Sequence, residues 1–263
     1  MDFRELTSVT VRWLHVVSGI LWIGLLYWFN FVNGPFAGTM DGDTKKKVMP
    51  EMLPRALYWF RWAAAYSAVT GLLLLIFVFY LGGLMFDQGV DWSGGSYLVL
   101  ALIVLTFPIY DLIAKSGVGK DIRMMGVFGL VWTALMLYLM VHVGHFGYRA
   151  YLIHSGVMFG GIMAANVWQR IWPGQQKVIA AIKEGAAPDA AIVAQVGQRS
   201  RHNTYLSVPL VWAMLNMHTV ASPLGSSDLF GVLPHWGNFL IVMVVGWLVV
   251  SLAYDKAAKV KGF

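Results

Sequence analysis

The stretch RWLHVVSGILWIG, residues 12–24, decides the class of fold. After Arg12 no carboxylate, lysine or arginine appears until Asp41, and the apolar run covers roughly residues 9–33. That is enough for a helix to cross a bilayer, which takes about 20 residues for about 30 Å of hydrocarbon. Within such a run an imidazole is costly, and polar groups there tend to mark function. His15 therefore needs an explanation.

The rest of the chain has the same character. Of its 263 residues 58% are apolar and only 12% are charged, about half the charged fraction of a soluble domain. The mean hydropathy is +0.65. The chain has no cysteine, which excludes disulfides, thiolate metal sites, iron–sulfur ligation and haem attachment through C-x-x-C-H. No nucleotide-binding glycine motif and no internal repeat stand out, and a nucleic-acid partner is not expected.

Seven apolar spans are expected, at about 9–33, 57–82, 96–114, 124–144, 150–172, 204–220 and 235–254. All should be helical, because backbone groups inside a bilayer must find partners within the chain. The expected architecture is an all-α, seven-helix membrane bundle, a single transmembrane domain over residues 1–263. The short start MDFRE leads into a span too long for a cleavable signal peptide.

Basic residues set the orientation. Sixteen of the 19 Lys and Arg fall in the 34–61, 115–123 and 170–201 connections and the C-terminal tail. The other side holds Arg4, Arg12 and Arg149, and the 83–95 and 221–234 loops hold none. The positive-inside rule then puts the N-terminus outside and the C-terminus in the cytoplasm of a bacterial inner membrane. The alanine-rich 173–202 segment, interrupted by Gly185 and Pro188, reads as two short cytoplasmic interfacial helices.

On this map six of the seven histidines fall in the outer leaflet. His15 lies about two turns into the first span. His142 and His145 close the fourth, with a spacing that gives them one helix face. His154 opens the fifth, His218 closes the sixth and His235 opens the seventh. Only His202 is cytoplasmic. Imidazole suits haem iron, copper and zinc, and catalytic zinc favours an acid nearby, which the outer halves of these helices lack. A neutral histidine- and tryptophan-rich layer suits b-type haem, one or two, held axially by His15, His142, His145, His154 or His218. Gly19, Gly24, Gly144, Gly147, Gly156, Gly160 and Gly161 either let a porphyrin lie against a helix or pack helices together. Arg12 and Arg149 either pair with propionates or snorkel to the interface. A less favoured alternative is copper, with Met214, Met217 and His218 on one helix face as a soft site.

All these ligands are expected in one leaflet, so electrons should exchange with a periplasmic cytochrome c or with a quinone. The acidic Asp87, Asp91 and Asp228 of the outer loops would favour a basic cytochrome.

RWLHVVSGILWIGLLYWFNFVNGPF, ALYWFRW, NVWQRIWPGQQKVI and RSRHNTYLSVPLVWAM together resemble the membrane domain of bacterial urate hydroxylases of the cytochrome c-linked type. The histidine followed by W-x-G in the first span also resembles copper-resistance D-type membrane proteins and haem-binding membrane protoporphyrinogen oxidases. The resemblance implies a helical bundle with His15 as a haem ligand, and oxidation of urate with electrons passed to a fused cytochrome c. This sequence ends at Phe263 without a C-x-x-C-H motif. The expectation is therefore a separate cytochrome, or a place as a subunit of a larger respiratory assembly. A copper-handling or non-catalytic membrane subunit is the alternative.

Overall fold

The computed structural model describes residues 3–218 and 234–260, with side chains from residue 6 onward. Residues 221–233 of the expected 221–234 loop, Asp228 among them, and the end of the sixth span lie outside the described residues. Ten α-helices follow one another with no strand among the described residues: α1 Phe3–Tyr27, α2 Gly34–Thr39, α3 Gly42–Leu74, α4 Gly94–Lys115, α5 Gly117–Lys120, α6 Ile122–His142, α7 Tyr148–Asn166, α8 Trp172–Lys183, α9 Ala190–Asn216 and α10 Asn238–Ala257. Three wider π-helical stretches, Trp28–Asn33, Leu75–Tyr80 and Val167–Ile171, extend α1, α3 and α7. Such insertions recur at functional sites.

Local chemistry fixes the helix starts. Asp41 Oδ1 accepts the backbone N–H groups of Asp43 and Thr44, each at 2.9 Å, and starts α3. Those bonds hold the Asp41 carboxyl below the usual carboxylate range, Thr44 contributing most. Ser93 and Ser96 form a reciprocal capping box at α4, which satisfies donors a helix start leaves open. Ser116 caps α5 and Asp121 caps α6 with a side-chain oxygen in each case.

Among the described residues six helical stretches are long and apolar enough to cross a membrane: Leu6–Thr39, Gly42–Tyr80, Gly94–Lys115, Ile122–His142, Tyr148–Lys183 and His235–Ala257. Their outward faces are apolar, with Ile20, Val104 and Leu112 at 69%, 75% and 71% exposure. Helix faces this apolar suit lipid.

The seventh expected span belongs to α9, which does not meet that standard of apolarity among the described residues. Its buried side chains are largely polar: Arg199, His202, Asn203, Thr204 and Ser207. The 173–202 segment also differs from the expected pair of short helices. Its first part is the end of one continuous helical stretch, Tyr148–Lys183. Its last part is the start of α9. The break falls between them, where Gly185 takes the left-handed φ of +76° and Pro188 follows.

The chain forms two compact units: Met1–Leu74 with Met163–Tyr205 and Val249–Phe263, and Leu75–Ile162 with Leu206–Leu248. In the first unit α1 runs against α3, with Phe29 edge-on to Phe60 at 5.3 Å. Polar bonds tie its other helices: Asn30 donates to Ser200 Oγ at 2.9 Å and Asn166 to Asn203 Oδ1 at 2.9 Å. The second unit is built on Tyr110, Ala114, Met125 and Ile162, with Phe159 stacked on Phe239 at 5.9 Å.

Candidate functional site

His15 sits in α1 where that helix faces α3 in the first unit. Its Nδ1 lies 2.9 Å from the Ser67 carbonyl oxygen and 3.2 Å from Thr70 Oγ1. A carbonyl only accepts, so Nδ1 carries the proton and donates. Thr70 in turn donates to the Tyr66 carbonyl at 2.6 Å, leaving its oxygen lone pairs toward His15. Nε2 is then the basic nitrogen, and it has no hydrogen-bond partner among the described residues. Ligating imidazoles are prepared in this way: the far N–H is tied to a carbonyl, which fixes tautomer and ring plane.

The ring lies against Gly71. A Cβ at that position would stand 2.9 Å from His15 Cε1 and 3.3 Å from Nδ1. Gly19 and Trp22 share the His15 face of α1 by helical spacing. Trp22 is only 3% exposed, and its indole N–H has no partner. A buried donor left open costs about 1–3 kcal/mol, so this face carries a lone pair and a donor prepared for something.

The other histidines expected in the outer layer belong to the second unit and differ from one another. His154 is fully buried, and both of its nitrogens are engaged. Nδ1 donates to the Ala150 carbonyl at 2.7 Å, and Nε2 accepts from the Tyr80 hydroxyl at 3.0 Å. Phe146 covers the ring at 5.0 Å. In this arrangement Tyr80 holds the place a metal would need.

The common helix face expected of His142 and His145 is not there. α6 ends at His142, and His145 lies in the turn that follows, with a left-handed φ of 55°. Gly144 and Gly147 allow that turn, in which the Phe146 N–H reaches the Met140 carbonyl and the Gly147 N–H the Met85 carbonyl. His142 is exposed and rests 4.5 Å from the Tyr138 ring. His145 is exposed.

His218 is exposed in the turn after α9, so Met217 and His218 leave the helix that carries Met214. His235 begins the short 3₁₀ turn before α10, with its ring 5.9 Å from that of Tyr151. Arg12 is exposed and Arg149 half-buried. Among the described residues no three His, Asp or Glu side chains come together as a metal site. A haem iron needs only one or two protein ligands, and His15 has the preparation for one.

The glycines divide. Gly156 gives room to the Met214 methyl and Gly144 to Phe146, so these two serve packing between protein groups. At Gly24 and Gly161 a Cβ would meet nothing within 4 Å.

The amino-acid pattern gives no sign of Ser67, Thr70 and Gly71, which hold His15, or of Tyr80, which holds His154. It presents Arg61 only as a positive charge. Arg61 lies with its guanidinium carbon 4.0 Å from the Trp172 ring centre, 5.8 Å from Trp168 and 5.7 Å from Tyr58. His202 is buried on α9, ahead of the expected 204–220 span and outside the six apolar ones. Its pKa is pushed down to about 4, by burial first and by Arg199 and Arg201 second.

Among known proteins, the family model described as urate oxidase N-terminal matches residues 36–256. No curated protein and no solved structure matches the chain.

Proposed function

The chain belongs to the urate oxidase N-terminal family, and on that premise we propose a membrane redox protein that oxidises a urate-like substrate and passes the electrons to a cytochrome c outside the membrane. The cofactor of this reading is a b-type haem on His15. When bound, haem supplies a one-electron couple between the substrate and its acceptor.

The observation that carries the reading is the state of His15. Its Nδ1–H is committed to the Ser67 carbonyl at 2.9 Å, its Nε2 is open, and its ring is seated on Gly71. Ser67, Thr70 and Gly71 hold the embedded imidazole in one tautomer and one plane. Trp22 offers a further N–H on the same helix face. In the second unit His142, His145, His154 and His218 stay candidate haem ligands in their own right, and for His154 that role requires Tyr80 to release Nε2.

The same reading keeps seven spans, with the 204–220 stretch that begins in the later part of α9 as the seventh, the N-terminus outside, the C-terminus in the cytoplasm, and an inner-membrane location. The distribution of basic residues supports it. The test is urate-dependent reduction of an added cytochrome c by sealed right-side-out vesicles carrying the protein. Reduction that depends on urate and disappears in His15→Ala supports the reading. Urate consumption that His15→Ala leaves untouched removes His15 from the electron path.

A further inference from the structure

We propose that Arg61, Trp168, Trp172 and Gln175 form the binding site for the planar, anionic heterocycle that the protein oxidises. This deepens the function proposed above and rests on its urate-like substrate.

Arg61 is half-buried on α3, in the first unit. Its guanidinium is pressed on the Trp172 ring at 4.0 Å, with Trp168 and Tyr58 further out at 5.8 and 5.7 Å. Among the described residues it makes ring contacts and no hydrogen bond or ion pair. Its Nε is buried and unpartnered. A buried Nε–H on a charged group is expensive to leave unused. Cation–π contacts return only about 0.5–2 kcal/mol, so the guanidinium is left with most of its hydrogen-bonding capacity.

The second observation is Gln175. It stands three residues after Trp172 in α8, on the same helix side, and its Oε1 is also buried and unpartnered. The first unit thus offers fixed donors, an acceptor and flat indole walls. Trp168 extends the wall, its ring 5.6 Å from that of Trp62.

This set of groups selects among ligands. A phosphate headgroup brings acceptors for Arg61 and, with an ammonium or hydroxyl head, a donor for Gln175, but no plane for the indoles. An oxopurine anion brings all three: negative charge and carbonyl acceptors for the guanidinium fork, ring N–H donors for the amide oxygen, and a face to stack on tryptophan. Arg61 sits on the same helix as the His15 pocket. The six to ten residues from Arg61 to Ser67 and Gly71 correspond to about 9–15 Å along the axis, a short distance for electrons to cover.

The test is calorimetric titration of urate into the full chain in zwitterionic nanodiscs. Arg61→Met should weaken binding about tenfold or more, the loss expected for one charge-assisted contact. Arg61→Lys keeps the charge without the fork and should fall between, and it decides the matter if Arg61→Met does not fold. Trp172→Leu should also weaken binding, while His15→Ala should bind urate normally. Wild-type affinity in both Arg61 variants overturns the site. So does loss of co-purifying anionic lipid with urate affinity unchanged, which would mark a headgroup site. If urate is still oxidised with an unchanged KM in Arg61→Lys and Arg61→Met, the site is elsewhere and the function above stands. A wild-type chain that neither binds nor oxidises urate removes both.

Discussion

Gly71→Ala adds one methyl group beneath the His15 ring. The new Cβ would stand 2.9 Å from Cε1 and 3.3 Å from Nδ1, where carbon atoms prefer about 3.5–4.0 Å. The neighbouring atom is a ring carbon on a side chain tied at Nδ1, so the ring must lift by about 0.6–1 Å. That motion stretches the 2.9 Å bond to the Ser67 carbonyl toward the limit at which hydrogen bonds fail. Two terms oppose each other in stability. Alanine is favoured over glycine in a helix by about 1 kcal/mol, and overpacking costs about 1–3 kcal/mol. The protein should therefore fold with a net loss below about 2 kcal/mol. Its cofactor affinity should drop about 10–100-fold, as for other losses of the group that orients a ligating histidine. Haem content per protein after titration with limiting haem, read by absorbance, measures this. Gly197→Ala, in α9 and away from the glycines expected to face a porphyrin, is the control, since a Cβ there meets nothing within 4 Å. It should keep full haem affinity and gain slightly in stability. Equal haem affinity in both variants would refute the claim that Gly71 seats a ligand.

Other outcomes follow from the same geometry. Tyr80→Phe strips the hydroxyl from His154 Nε2 and leaves a buried acceptor, so thermal unfolding should report a loss of about 1–3 kcal/mol; an unchanged midpoint would mean that the bond is not formed. Ser93→Ala removes the capping box of α4 and should cost about 1 kcal/mol, measured in detergent by the same melt. His202 has a folded pKa of about 4, below its ordinary value, so the unfolded chain takes up the proton first as pH falls. The resulting loss of stability begins near pH 6.5 and continues to about pH 4, on the order of 3 kcal/mol in all. His202→Gln should flatten that part of the stability–pH curve, and an unaltered slope would assign it to other groups.

The membrane class was legible from the apolar runs, since a stretch of about 20 uncharged, mostly apolar residues is what a bilayer span requires. His15 was legible for the same reason: it is an imidazole deep in such a run. What holds it was not. Ser67 acts through its backbone carbonyl, which leaves no trace in residue type, and it is 52 positions away in the chain. Gly71 resembled any small residue of a membrane helix. The helical spacing read into His142 and His145 failed because α6 stops between them, and a turn with a left-handed residue takes its place. The expected 204–220 span is not among the six, because the described part of α9 carries Arg199, Arg201, His202 and Asn203 ahead of it and residues 219–220 lie outside the described residues. Arg61 was legible only as a topological charge because its aromatic partners Trp168 and Trp172 lie more than 100 residues away.

The central claim is that His15 carries a haem, and the reduced-minus-oxidised visible spectrum of the purified chain tests it most directly. The account predicts sharp b-type bands in the wild type, lost or shifted in His15→Ala and unchanged in His202→Ala. A wild type without haem absorbance, or a spectrum that both substitutions leave alike, would contradict it.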